Sequence, residues 1–571
     1  MTKAIFLILL TSFCVVAQVQ SSAPSTNEPT TGTISGKVVD ETGQPMAGTS
    51  TVVRAVNSVT LGRTTVTDLD GNFSVSGLEP SLYTVAASAP AYTSISSDPF
   101  APATYYRIGD SVRLELVRGG VITGTVTNAL GEPVVAVRVR ATMVRDAKGA
   151  TPRIPAFGLS EQATDDRGIY RMYGLAPGTY LVSAGGLGAA QSFQFNPYDS
   201  DLPTYAPSAT RDNAAEVSVR GGEETNVDIR YRGEAGHTIS GSVRVARSNG
   251  SSILITPASG SFSPTGYTFQ PPGGRGFAFH GIADGEYDIV AQEMAAALGT
   301  MNALLSMSEP KRVIVKGASV TGIELIPKPL ATVSGRVALE ASKVPECQGK
   351  RPPLLAETLI HSRRNEKEAE KENSPYVRLF GGTATPDSKG EFTLRNITPG
   401  RYQFEPRFYA RYWYLQSMTI GSVPATGTAK PSKTDVAGSW TTVKHGDQIT
   451  KLTITLAEGA ASIRGRVAAA EPPAGALVYL LSAEAAKADD VLRFFVTEIG
   501  ADGTFAFNNL PPGKYLAVVQ TTADEQTATL TKLRQPEAAT ARAKLRRTAE
   551  AQKLAIELKP CQNLTGYELK Q

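Results

Sequence analysis

Short runs in which apolar and polar residues alternate recur along the whole chain, separated by clusters of Gly, Pro, Asp and Asn. The run DSVRLELV sets Val112, Leu114 and Leu116 on one face and Ser111, Arg113 and Glu115 on the other, the period-two pattern of a half-buried strand. TNVDIRY, SVTGIELI, QITKLTITL and QKLAIELK repeat that habit. Each closes a segment that opens on an apolar-x-Gly-x-Val strand (ISGKV, ITGTV, ISGSV, VSGRV or IRGRV), with glycines at Gly36, Gly124, Gly241, Gly335 and Gly465. Between opening and closing strands lies a third signature, an aromatic strand followed by a turn and a tyrosine. The pairs are Phe73 and Tyr83, Tyr170 and Tyr180, Phe277 and Tyr287, Phe392 and Tyr402, and Phe505 and Tyr515, ten residues apart in all five copies. Such spacing marks an internal repeat.

The residue types fit a β-sandwich made of short strands and tight turns. Gly71, Gly168, Gly390 and Gly503 precede the aromatic strands, where a tight hairpin needs positive φ and a neighbouring Asp or Asn bonds the turn backbone. The third copy has Arg275 there, flanked by Gly274 and Gly276, so its turn is expected to shift by one residue. Each tyrosine is expected to bury its ring between the sheets and to reach backbone with its hydroxyl. The repeat boundaries predict five sandwiches over 32–118, 119–235, 236–329, 330–458 and 459–571. A glycine-free, Ala-, Lys- and Arg-rich stretch predicts a short surface helix over 536–552, and the charge run at 365–373 a solvated loop or helical turn. Linkers as short as RGG at 118–120 and PKP at 327–329 predict restricted angles and an extended rod.

The apolar-x-Gly-x-Val strand, the D-x-x-G-x-F turn and the L-x-P-G-x-Y run together resemble the carboxypeptidase regulatory-like domain. That resemblance implies an all-β chain of five tandem prealbumin-like, Greek-key, seven-stranded sandwiches, related in shape to carbohydrate-binding-like folds and to B-type adhesin repeats. It also implies a multi-copy secreted bacterial protein, since such domains stand beside peptidases, outer-membrane receptors and surface adhesins. Adhesin repeats of the B type can join Lys to Asn by an isopeptide bond. Lys37 sits in the first opening strand, but Thr125, Ser242, Arg336 and Arg466 hold its place in the other copies, which speaks against a general crosslink.

Composition adds a compartment. Residues 1–17 carry Lys3, an apolar run and a small residue at Ala17, the layout of a secretory signal followed by a linker over 18–31. Export to the periplasm or the medium is the expectation, and no later segment approaches the roughly 18 apolar residues of a spanning helix. Loss of the signal removes Cys14 and leaves Cys347 and Cys561, which an oxidising compartment allows to pair, tying the fourth unit to the C-terminus. With 41% hydrophobic and 19% charged residues, 53 Gly and 36 Pro, the chain reads as globular and turn-rich, and a formal charge of +4 argues against a nucleic-acid partner.

Candidate chemistry is sparse. None of His237, His280, His361 and His445 has Glu three positions on, so a peptidase zinc motif is absent. There is no nucleophile elbow and no phosphate loop ending in Gly-Lys-Ser or Gly-Lys-Thr. Asp68 with Asp70, and Asp165 with Asp166, offer two or three oxygens where calcium takes six or more. No catalytic, metal or cofactor residue is therefore expected. Two aromatic groups remain. Tyr409, Tyr412, Trp413, Tyr414 and Trp440 could stack on sugar rings, or alternation could send half of them into a core; Tyr198, Tyr205 and Pro207 pose the same choice. Arg542, Lys544, Arg546 and Arg547 form a basic patch, solvated or facing an acidic polymer. The expectation is a monomeric, exported, non-enzymatic binding or scaffold protein with a polysaccharide or an envelope protein as partner. A purely structural envelope spacer and an accessory module of a peptidase or receptor system are the alternatives.

Overall fold

The computed structural model describes residues 31–56, 62–94, 104–150, 161–186, 196–245, 249–258, 266–271, 273–294, 304–371, 382–422, 432–468, 476–521 and 527–570. The expected signal segment lies outside them. The described strands form ten sheets, two for each of five units. The first unit shows the plan with seven strands: one sheet orders Asn72–Leu78, Gly32–Asp40, Ser111–Arg118 and Tyr92–Ser94, and the facing sheet orders Arg63–Val66, Ser50–Ala55 and Tyr83–Ser88. In every unit the opening strand is central, antiparallel to the aromatic strand and parallel to the closing strand. Each unit closes over an apolar cluster, and that of the fourth also takes in residues of the fifth.

The repeated glycine has a steric cause. Gly36, Gly124, Gly241, Gly335 and Gly465 stand in register opposite Phe73, Tyr170, Phe277, Phe392 and Phe505. A Cβ on Gly335 would lie 2.2 Å from the Leu452 carbonyl oxygen and 2.7 Å from Phe392 Cζ; on Gly36 the same distances are 2.1 Å to Val112 O and 2.7 Å to Phe73 Cζ. The cross-strand ring occupies the space a side chain would take, so glycine and aromatic are kept as a pair.

The tyrosine hydroxyls close the next corner. Tyr83, Tyr180, Tyr287 and Tyr515 donate to the carbonyl four residues back, on Glu79, Ala176, Ala283 and Pro511, at 2.7 to 3.0 Å. Tyr402 instead meets the Thr398 hydroxyl at 2.8 Å. Burial pushes the Tyr515 phenol up to about 12, so it stays a donor. Tyr515→Phe is expected to destabilise the fifth unit by about 1 kcal/mol, checked by a lower midpoint for that unit in denaturant melts, with Tyr→Phe at exposed Tyr173 as the silent control.

In the turns before the aromatic strands, Asp68 accepts from the Asp70 and Asn72 amides, and Asp165 from those of Arg167 and Ile169, at 2.8 to 3.0 Å. In each case a single oxygen, Oδ1, takes both amides, as a turn-stabilising aspartate does. Those amide bonds, led by Asn72 for Asp68 and by Ile169 for Asp165, hold both carboxyls below 3.8. A depressed carboxylate stabilises the fold above its unfolded pKa and loses that contribution as pH falls through the folded value. The first two units are therefore expected to weaken below pH 3.8, and Asp68→Asn should flatten that acid limb in the first unit's melting curve.

The helix Ala539–Gln552 follows a one-turn segment Pro536–Ala538. Its Ala541, Leu545 and Ala549 are buried, and Leu545 and Ala549 pack with Tyr479, Leu481, Phe494 and Val518 on the outer face of the last sandwich. The charge run forms a helix, Glu366–Lys371, and it is docked: Glu368 accepts from Arg401 Nε at 2.5 Å and from the Arg401 amide at 3.0 Å. The extended rod is corrected. Arg107 of the first unit lies 3.9 Å from Glu357 of the fourth and 4.8 Å from the centre of the Tyr409 ring, so the chain doubles back on itself.

Candidate functional site

The aromatic stretch of the fourth unit is where the sequence concentrates candidate binding groups, and the structure spreads them over two contacts between units. Alternation along Trp413–Ser422 turns Trp413 inward: it is 3% exposed and belongs to the fourth unit's apolar cluster, with Nε1 unpartnered. That cluster also takes in Val491 and Leu492 from the one-turn helix Val491–Arg493 of the fifth unit, so the two units share a core. Trp440 donates from Nε1 to both Glu537 oxygens, at 2.9 and 3.0 Å, just ahead of the C-terminal helix. Tyr414 lies under the Arg493 guanidinium at 5.8 Å. Tyr412 gives its carbonyl to the Gly459 and Ala460 amides at 2.9 Å, at the connection between the units, and has Lys350 over its ring at 4.8 Å. Tyr409, 41% exposed, faces Arg107 of the first unit.

These five rings do not make one platform. A pyranose needs a free, flat aromatic face, and four of the rings already carry a cation over theirs, Trp440 under Arg401 at 5.9 Å included, while Trp413 is buried. Their surroundings are those of a joint. Asn509 of the fifth unit donates from Nδ2 to the carbonyls of Ala410 and Trp413, both at 2.7 Å. A Cβ on Gly438 would sit 2.9 Å from Val491 Cγ1. Arg534 lies 5.7 Å from the Phe495 ring, and withdrawal from water lowers its guanidinium to about 10 against the pull of Glu405, from the fourth unit, and Asp490. Cys347, fully buried, is bonded to Cys561 with Cα atoms 5.4 Å apart, 214 residues away in sequence.

The smaller aromatic group is also at a joint. Tyr198, in the turn Pro197–Ser200, packs edge-on to Tyr231 at 5.6 Å, and the Gly236 amide at the start of the third unit donates to Ser200 O at 3.1 Å. Tyr205 pairs with Ala209 around Pro207. The basic patch is reduced: Arg542 donates to the carbonyls of Leu533 and Gln535, and Arg546 to those of Ser482 and Ala488, which leaves Lys544 and Arg547 facing water.

The remaining polar candidates are local. His237 lies 3.2 Å from Asp284, His280 3.1 Å from the Thr238 hydroxyl, and burial lowers the His361 imidazole. Among the described residues no group of three His, Cys, Asp or Glu could hold a metal, and no helix is long and apolar enough to cross a membrane. Lys37 stands opposite Asn72 on the outer, solvent-facing side of its sheet. The joint residues Val491, Leu492 and Asn509 escaped the sequence reading. Asn509 left one signal: it and Asn396 adopt positive φ where the first three units have Gly77, Gly174 and Gly281, so an amide side chain stands at a position that elsewhere carries none.

Comparisons with known proteins add the following. No curated protein sequence matches the chain. The minor pilin GBS52 of Streptococcus agalactiae is similar over 35% of this chain and 96% of its own, at 11% identity and a TM-score of 0.19. The TIE protein of Bacillus anthracis is similar over 76% of each chain at 10% identity and 0.14, and the major pilin BcpA of Bacillus cereus over 52% of this chain and 99% of its own at 11% and 0.14. Residues 33–106, most of the first sandwich, match the family model of the carboxypeptidase regulatory-like domain.

Proposed function

We propose that the protein is an exported, non-enzymatic scaffold whose five sandwiches, divided at 118, 235, 329 and 458, hold each other in a fixed, folded-back arrangement. One observation carries this reading: the side chains with the greatest capacity for recognition are used between units. The indoles of Trp413 and Trp440, the Asn509 amide and the buried Cys347 all serve the contact of the fourth unit with the fifth. A shared core with charge-assisted contacts at its rim has the anatomy of a permanent interface, whereas flexibly linked domains meet through smaller, more polar ones. The regulatory-like match over the first unit fits an accessory role, and neither catalytic nor cofactor chemistry enters the reading.

Small-angle X-ray scattering of the mature chain tests it. The distance distribution should be that of a chain folded back between its first and fourth units and should stay the same between low and moderate salt. A distribution requiring five units in line, or one that broadens as salt weakens Arg107 against Glu357, would sink the proposal.

A further inference from the structure

The outer face of the fourth unit's larger sheet carries a cation held in a costly backbone conformation. In the third, fourth and fifth units the parallel pairing of opening and closing strands skips: Ile239 pairs Val320 and then Gly241 pairs Ile323; Val333 pairs Ile449 and then Gly335 pairs Leu452; Ile463 pairs Leu564 and then Gly465 pairs Tyr567. The residue just before the pairing resumes is left-handed each time. It is Gly322 at φ +74° and Gly566 at φ +68° in the third and fifth units, but Lys451 at φ +64° in the fourth. Glycine takes that conformation freely, whereas a lysine is strained by its Cβ. Strain kept where sister copies avoid it points to a use for the side chain.

That side chain lines an open groove of about 700 Å³, together with Arg336, Lys433 and the hydroxyls of Ser334, Thr393, Thr419 and Thr453. Gly421 pairs with Lys433 on one side, and on the other the Lys451 stem lies across it, with Cβ and Cδ 3.5 and 3.6 Å from where a glycine Cβ would stand. Glu391 is the carboxylate in the groove. Among the described residues none of Arg336, Lys433 and Lys451 is in an ion pair. Elsewhere in the chain, Arg244, just past the third unit's opening strand, meets Glu324 at 2.5 Å, and Arg171, on the second unit's aromatic strand, meets Glu224 at 3.0 Å.

We propose that this groove binds an anionic polysaccharide, with Lys451, Lys433 and Arg336 facing its carboxylate or sulfate groups and the row of hydroxyls facing its sugar hydroxyls. The groove offers no exposed ring on which a nucleobase could stack and no protruding apolar side chain to enter a membrane, which favours a hydroxyl-rich polymer. This site is separate from the joints on which the scaffold reading rests.

Binding of polygalacturonate to the full mature chain tests it, with neutral dextran, a single-stranded oligonucleotide and phosphatidylglycerol vesicles as competitors. Wild type should bind polygalacturonate, lose it as salt rises, and ignore dextran. Lys451→Gly should weaken binding about tenfold, the effect of losing one charge-assisted contact, while its melting temperature stays level or rises because the backbone strain is relieved. Arg547→Ala, on the exposed helix, should change nothing. Equal binding by Lys451→Gly, no binding by wild type at low salt, or preference for oligonucleotide or vesicles would overturn the proposal.

Discussion

Gly335→Ala is expected to destabilise the fourth unit by about 3 kcal/mol or more, the upper range for overpacking a closed core. The added Cβ would meet the Leu452 carbonyl oxygen at 2.2 Å and the edge of Phe392 at 2.7 Å. Neither can withdraw cheaply. The carbonyl belongs to the central parallel ladder, and the ring is 5% exposed inside the same cluster. Gly276→Ala is the matched control, since its nearest neighbour would stand 3.8 Å away, and it should be nearly neutral. Calorimetry of the full chain reads both, through the transition assigned to each unit. If the two substitutions prove equally mild, the steric account of the repeat is wrong.

Removal of the Cys347–Cys561 bond has the second largest expected effect. It closes a 214-residue stretch that spans the fourth and fifth units, and opening a native disulfide of this kind costs about 2–4 kcal/mol, chiefly by freeing the unfolded chain. The double variant Cys347→Ser with Cys561→Ser should lower the melting temperature of the last two units together and leave the first unit where it was. A shift shared by all five units, or none, would show that the bond does not serve this joint.

What the sequence revealed and what it concealed follow from the range of the forces involved. The pairing of Gly36 with Phe73, or Gly465 with Phe505, is a clash between neighbouring strands, so it must be written in both strands of every copy. The tyrosine hydroxyls bond four residues back, and the turn aspartates two and four residues on, so these too recur as local spelling. The aromatic stretch could not be read that way. Trp413 faces inward by alternation, but the residues that complete its cluster, Val491 and Leu492, lie some eighty positions later in another unit, and nothing local marks them. Trp440 awaits Glu537, and Tyr409 awaits Arg107. An exposed-looking ring in one repeat turned out to be half of a contact with another. The expected rod failed for the same reason: short linkers restrict angles without saying which way the chain turns, and the Arg107 contact with Glu357 is visible only once both units are placed. Lys451 is the converse case, a residue that looks ordinary until the register shows it standing where Gly322 and Gly566 stand.

Both tryptophans of the chain lie where the fourth and fifth units meet, so their emission reports on that joint together with the fourth unit's core. Acrylamide quenching of the intact protein is the most direct test of whether these aromatics hold units together. The joint predicts blue-shifted, weakly quenched emission that neutral oligosaccharides leave unchanged and that reddens when Glu537→Ala frees Trp440. Indoles quenched as readily as in an unfolded chain, and shielded by added sugar, would contradict it.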